Sequence, residues 1–235
     1  MKNVLNFTLT FFFGYLSLGQ NTSGKITYKV IPPKIEFKDS TNVNEIKFLE
    51  KFNENLKRKK FSLFFNTDFS LFRSEENLNV ENDKNSTIEK INYNLYSKYS
   101  YFFNLKSKEC YKVDNSESRI IIKLNDKLNW QITTESKKID GYLCIKATTN
   151  KSFFNNKGER VKKITAWFCS EISYPFGPLD YNGLPGLILE LQDNKLIYSV
   201  DKIEFDNKYS MIEMPKGKII SEDEHLEKLK EQSNF

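Results

Sequence analysis

The chain has 235 residues and a formal net charge of +5, and 39% of its residues are hydrophobic, with 20 Phe and 12 Tyr. That apolar content can build a core and excludes a wholly disordered chain. Basic and acidic residues are interspersed, and the one dense basic cluster, Lys57-Arg58-Lys59-Lys60, is too short for a nucleic-acid face and reads as a solvated helix end.

Residues 1–19 have the tripartite form of a secretory signal peptide. Lys2 supplies the positive region, Val4 to Leu18 the apolar region, and Ser17-Leu18-Gly19 the small residues at a cleavage site after Gly19. The apolar run is short and interrupted by Asn6 and Thr8, which argues against a membrane span. No cysteine follows it to carry a lipid. The expected product is exported: periplasmic, outer-membrane-associated or secreted. One domain is expected over 20–218, with a charged helix or tail over 219–235 and no transmembrane span in the mature chain.

Lys25 to Val30 alternates, with Ile26, Tyr28 and Val30 on one face, and predicts a strand. Pro32-Pro33 ends or bends it, and Ile35 and Phe37 resume the pattern. Asn42 to Leu56 predicts a helix: Ile46, Leu49, Phe52 and Leu56 form one stripe, and Asn42 with Glu45 resembles a capping box. The pattern then changes to period two. Phe61, Leu63, Phe65, Phe69 and Leu71 are expected on one face. Further strands are predicted around Ile91, Tyr93 and Leu95, then Tyr99 to Leu105, Ile120 to Leu124, and from Trp130 and Ile132 onward. Glu75 to Ser86 is polar and Asn-rich, as in a long turn. Segments 142–148 and 164–170 look like the arms of one hairpin, and Ser221 to Gln232 predicts a charged terminal helix with few apolar residues to dock it. Close strand spacing predicts mostly antiparallel neighbours. The fold class expected is α+β, mainly β: a curved antiparallel sheet, bowl or half-barrel like, with one packed N-terminal helix and a short charged C-terminal helix.

The cysteines are Cys110, Cys144 and Cys169. An odd count leaves at least one thiol unpaired in a monomer, and Cys144 with Cys169 is the candidate disulfide because they lie on the two arms of the hairpin. Two buried free thiols are the alternative. No CxxC or CxxxC spacing provides a zinc ribbon, and the only histidine, His225, lies in the polar C-terminal stretch. A Ser-His-Asp triad would have to recruit that residue. No phosphate-binding or dinucleotide-binding loop occurs. No metal, cofactor or nucleic-acid partner is expected.

Two blocks of sequence stand apart. The first runs from Trp130 to Ala147 and contains Gly141-Tyr142-Leu143-Cys144-Ile145-Lys146-Ala147. The second runs from Ala166-Trp167-Phe168 through Gly177-Pro178 to Gly183-Leu184-Pro185-Gly186-Leu187-Ile188. In this order over about 60 residues they resemble the GLPGLI family of Bacteroidetes, named after that hexapeptide. The resemblance implies an exported envelope protein with no assigned activity, and it supplies no catalytic residue. Cys169 departs from the family pattern, which has a small polar residue there. A more distant likeness, at the level of fold alone, is to the bowl-shaped N-terminal module of some secreted peptide-N-glycosidases, which implies an accessory or binding fold.

The hexapeptide Gly183 to Ile188 reads first as structure. Leu184-Pro185-Gly186-Leu187 fits a type II turn that opens the last hairpin, with Leu187 to Leu191 going up, Asp193-Asn194 as its turn and Leu196 to Phe205 returning. The functional reading makes this loop the lip of a pocket beside Trp130, Trp167 and Tyr174. Glu171, Asp180 and Glu190 bracket it as candidate hydrolytic carboxylates. Three function classes follow: a non-enzymatic binding or accessory protein of the envelope holding a hydrophobic or glycan ligand, a carboxylate-dependent hydrolase, and a structural or assembly partner of outer-membrane machinery. No catalytic constellation is convincing, so the first is the expectation.

Overall fold

The structure is a computed structural model that describes residues 23–33, 42–75, 87–116, 119–125, 127–155 and 158–233. The expected signal peptide, Ile35 and Phe37, and residues 76–86 of the Asn-rich stretch lie outside the described residues. Among the described residues, twelve strands form one open mixed sheet. They are β1 (Gly24–Ile31), β2 (Lys60–Phe65), β3 (Phe69–Ser74), β4 (Tyr99–Asn104), β5 (Glu109–Asp114), β6 (Ile120–Lys123), β7 (Gln131–Ile139), β8 (Tyr142–Asn155), β9 (Gly158–Cys169), β10 (Leu187–Asp193), β11 (Leu196–Phe205) and β12 (Lys218–Ser221). Their order across the sheet is β12-β6-β5-β4-β3-β2-β1-β11-β10-β9-β8-β7. Every ladder is antiparallel except β12 on β6. Three helices accompany the sheet: α1 (Val43–Arg58), α2 (Thr87–Asn92), which runs on into a π-helical turn at Tyr93–Ser97, and α3 (Glu222–Ser233).

Helix α1 starts where its cap demands. Asn42 Oδ1 accepts from the backbone N–H of Asn44 and Glu45 at 3.1 and 3.3 Å. Of its predicted stripe, Leu56 is fully buried, and Phe52 packs at the core margin with its ring 6.5 Å from that of Tyr96. The region around Ile91, Tyr93 and Leu95 is helical, which corrects the strand expectation. Ile88 and Asn92 are buried four residues apart while Tyr93 and Leu95 are exposed. One turn of helix satisfies that spacing and an alternating strand does not.

Two apolar clusters occupy opposite faces of the sheet. The first face carries Ile26, Tyr28, Val30, Phe61, Leu63, Phe65, Phe72 and Phe103. The second carries Phe102, Tyr111, Val113 and Ile121 with Phe64, Phe69 and Leu71, covered by Ile212 and Met214. Phe69 and Leu71 are therefore not on the face of Phe61, Leu63 and Phe65. Asn66 Oδ1 accepts from the N–H groups of Asp68 and Phe69, and this turn sets Phe65 opposite Ser70 and Leu63 opposite Phe72. A turn one residue different would reverse both faces of β3. Strands β5 and β12 had no counterpart in the sequence reading.

The β5–β6 pairing carries an acid-sensitive contact. Lys123 donates to Glu109 at 2.6 Å and the Tyr111 hydroxyl donates at 3.0 Å. The hydrogen bond from Lys123 is the largest cause that lowers the Glu109 carboxyl from 4.5 to about 2. A carboxyl depressed by folding stabilises above its unfolded pKa, and that contribution is lost as pH falls through the folded value. Glu109→Gln should thus lower the melting temperature at neutral pH. The gap from the wild type should close between about pH 4.5 and pH 2, as followed by thermal denaturation across pH. A gap that stays constant would mean the carboxylate has no part in stability.

Candidate functional site

The hallmark segment is a buried corner. Phe176, Gly177, Pro178, Tyr181, Leu184, Gly186, Leu187, Ile188 and Leu189 are all buried, whereas Gly183 and Pro185 reach the surface. Backbone bonds tie the corner to itself: Gly183 donates to Pro175 at 2.9 Å and Ile188 donates to Phe176 at 3.0 Å. Two side chains anchor it from elsewhere. The Tyr28 hydroxyl, fully buried on β1, donates to the Ile188 carbonyl at 2.6 Å, and Trp130 Nε1 donates to the Asn182 carbonyl at 2.9 Å.

The expected type II turn is not the geometry found. Gly186 N–H donates to the Leu184 carbonyl at 2.8 Å, which makes Pro185 the centre of a three-residue γ-turn. Leu187 N–H, which a type II turn would point at Leu184, donates instead to Ile172 at 3.0 Å. Gly186 has φ +155°. A Cβ there would lie 2.1 Å from the Cys169 carbonyl oxygen, so the glycine is required by a close approach of two backbones.

Beside this corner, β8 and β9 set Lys151 directly opposite Lys162. The like charges are separated by two aspartates. Lys151 pairs with Asp180 of the corner, and Lys162 pairs with Asp193 of β10 at 2.7 Å. Asp193 also accepts from the Tyr181 hydroxyl at 2.9 Å. Both ion pairs are mostly shielded from solvent, which makes them stronger than surface pairs and more costly to break singly.

The same charges reach residues of β4 and β5. Tyr101 is held well above the usual phenol range by burial first and by the charge of Asp180 next, and Cys110 is raised for the same two reasons. Lys112 stands opposite Tyr101 in the ladder and is lowered chiefly by desolvation. Its ammonium rests 3.9 Å above the Tyr99 ring. Among the described residues no carboxylate forms an ion pair with it. Tyr101, Cys110 and Lys112 nonetheless keep part of their surface exposed. The charges of helix α3 also reach two of them: Glu222 acts on Cys110 and Lys112, and His225 is lowered by burial and then by the Lys112 and Lys98 charges. Glu222 accepts from the Asn125 N–H at 2.8 Å, so the charged helix is fastened despite its few apolar residues.

The sequence candidates are distributed differently from this cluster. Trp130 stacks edge-on near Tyr181, with ring centroids 6.3 Å apart. Tyr174 lies 4.6 Å from Phe65. Trp167 sits between the ammonium groups of Lys137 and Lys146, at 4.4 and 5.8 Å. Glu190 is the ladder partner of Trp167 and pairs with Lys137 at 2.7 Å, on the sheet face opposite that of Phe168 and Ile188. Glu171 is exposed. Asp180 is the one candidate carboxylate in the charged cluster. Lys151, Lys162, Asp193 and Lys112 were not singled out, and Asp193 reads in the sequence as a turn residue. Among the described residues no three His, Cys, Asp or Glu side chains converge as a metal site needs. No described helix is long and apolar enough to cross a membrane.

A model of a family described as "Protein of unknown function (Porph_ging)", a family associated with Bacteroidetes, matches residues 154–190, from the tip of the long hairpin through the hallmark hexapeptide. No curated relative matches the chain. Among solved structures the fold is similar to that of PNGF-II. The P21 crystal form aligns at 15% identity over 88% of this chain and 32% of that one, with a TM-score of 0.52. The C2 form aligns at 17% identity over 87% and 32%, with a TM-score of 0.53. The chain thus spans about a third of the PNGF-II chain it matches, as the 32% coverage states. At this identity the likeness concerns the fold alone.

Proposed function

We propose that this is an exported, non-enzymatic binding or accessory protein of the cell envelope, of the GLPGLI type, whose ligand enters a recess walled by Tyr101, Lys112 and the Lys151–Asp180 pair. The carrying observation is the placement of Lys112, which stands opposite Tyr101, rests its ammonium 3.9 Å above the Tyr99 ring and keeps part of its surface exposed. An accessible ammonium on an aromatic face, with no carboxylate paired to it among the described residues, can pair with an incoming polar group.

Contacts between distant strands support the reading. Six strand spacings separate β4 from β9, about 29 Å in a flat sheet. Yet the Asp193 charge on β10 acts on Tyr101 of β4, and the corner that follows β9 brings Phe176 within 6.1 Å of the Phe103 ring of β4. These contacts suit a bowl or half-barrel whose hollow side is the first face. The fold shared with part of PNGF-II and the resemblance to an accessory module point the same way. The hydrolase alternative gains nothing here, since Asp180 is neutralised by Lys151 and Glu190 is on the other face.

Native mass spectrometry tests this on protein isolated from its own cells without refolding. The wild type should carry a bound hydrophobic or glycan ligand, and Lys112→Met should lose most of it while melting normally. A bare mass for both proteins would sink the reading.

A further inference from the structure

The ladder between β8 and β9 runs without interruption from Asn155 opposite Gly158 to Ile145 opposite Phe168. The same register continued by one step would set Cys144 opposite Cys169, each still within its strand. The parity of the ladder puts both on the face that carries Trp167, away from Phe168 and the proposed recess. Both are fully buried, and the structure holds both as thiols. Directly opposed Cα atoms in an antiparallel pair are about 4.5–5.5 Å apart. That range lies inside the span of roughly 4.4–6.8 Å that a disulfide bridges. Electrostatic coupling between the two sulfurs agrees with this spacing: burial first, and then Cys169, push the Cys144 thiol up to about 12.

We propose that Cys144 and Cys169 form a cross-strand disulfide, made while the chain folds in an oxidising compartment. The oxidant is a disulfide, either of a thiol oxidoreductase or of a small thiol. The thiolate of one cysteine attacks that disulfide and releases one thiol, which leaves a mixed disulfide. The thiolate of the second cysteine then displaces the remaining oxidant sulfur. One S–S bond breaks and one forms. The two cysteines give up two electrons and two protons, and the oxidant leaves as two thiols. Exchange needs access to the oxidant, and both cysteines are fully buried in the finished fold, so the bond closes before β8 and β9 are covered. Its place explains its use: Gly186 packs on the Cys169 carbonyl, so the bond clamps the strand on which the hallmark corner rests. Cys110, on β5 and only half-buried, is left as the single free thiol.

The test counts thiols in the full chain refolded with a mixture of reduced and oxidised glutathione. The protein is denatured without reductant, treated with iodoacetamide and weighed intact. One alkyl group is expected, with the remainder two hydrogens lighter than the reduced chain and a peptide crosslink between Cys144 and Cys169. Prior reduction with dithiothreitol in denaturant should raise the count to three. Cys110→Ser should give none without reductant and Cys144→Ser should give two, a count that does not require the variant to fold. Three groups on the unreduced wild type, or a crosslink that includes Cys110, would overturn the proposal. The outcome is independent of whether the recess holds a ligand.

Discussion

Replacing Gly186 with valine should be the most damaging single change in this chain, costing on the order of 3–5 kcal/mol from backbone strain and overpacking together. Two effects act at one atom. At φ +155° a β-branched residue is strained wherever it sits. Here its Cβ would also be driven to 2.1 Å from the Cys169 carbonyl oxygen and 2.6 Å from the carbonyl carbon. Those atoms are backbone of β9 and cannot swing aside as a side chain would. Gly183→Ala provides the contrast. Gly183 has φ +87°, but a Cβ there meets nothing within 4 Å. It should therefore cost only the left-handed backbone penalty, about 1–2 kcal/mol. Urea denaturation of the two variants separates the effects. Equal losses would mean that dihedral strain alone, and not the approach to β9, dictates glycine in the hexapeptide.

Asp193→Leu should cost about 3 kcal/mol, because it leaves the shielded Lys162 ammonium without its carboxylate. The Tyr181 hydroxyl loses its acceptor in the same change, for roughly 1 kcal/mol of that total. Adding Lys162→Met should recover most of the loss, since an apolar pair of similar volume has no desolvation to offset. The coupling read from the four proteins of the cycle distinguishes an ion pair that matters from one that merely sits in place. If the double variant is no more stable than Asp193→Leu alone, the four-charge arrangement beside the corner is not a coupled unit.

The sequence disclosed those parts of the fold that local chemistry controls. Asn42 announced α1, the alternation in Lys25 to Val30 announced β1, and the two arms around residues 142–148 and 164–170 belong to one long hairpin. Mainly β architecture and antiparallel pairing were legible for the same reason. Three things were not. The face of Phe69 and Leu71 depends on a side-chain-capped turn at Asn66, and alternation cannot count turn residues. The corner at Pro185 satisfies the residue preferences of a type II turn, yet the hydrogen bond from Leu187 to distant Ile172 selects a γ-turn. The charged cluster joins residues up to 92 positions apart, such as Tyr101 and Asp193, and each reads by itself as an ordinary strand or turn residue. What tertiary pairing assembles, no window along the chain contains.

The strand order has a kinetic corollary. From β2 to β6 each strand lies beside its sequence neighbour, and the same holds from β7 to β11. These are two meanders whose internal pairings join sequence neighbours, over tight turns except where α2 lies between β3 and β4 and the hallmark corner between β9 and β10. They meet at one seam, where β1 at the start of the chain lies against β11 near its end, with Gly24 opposite Phe205. Closing a loop of that length costs more entropy than any pairing inside the meanders, and it waits for synthesis of β11. Until then β2 and β11 each present an unpaired edge. A single strand of eight residues, β1, thus joins the two meanders, and its pairing with β11 is the most non-local contact of the sheet.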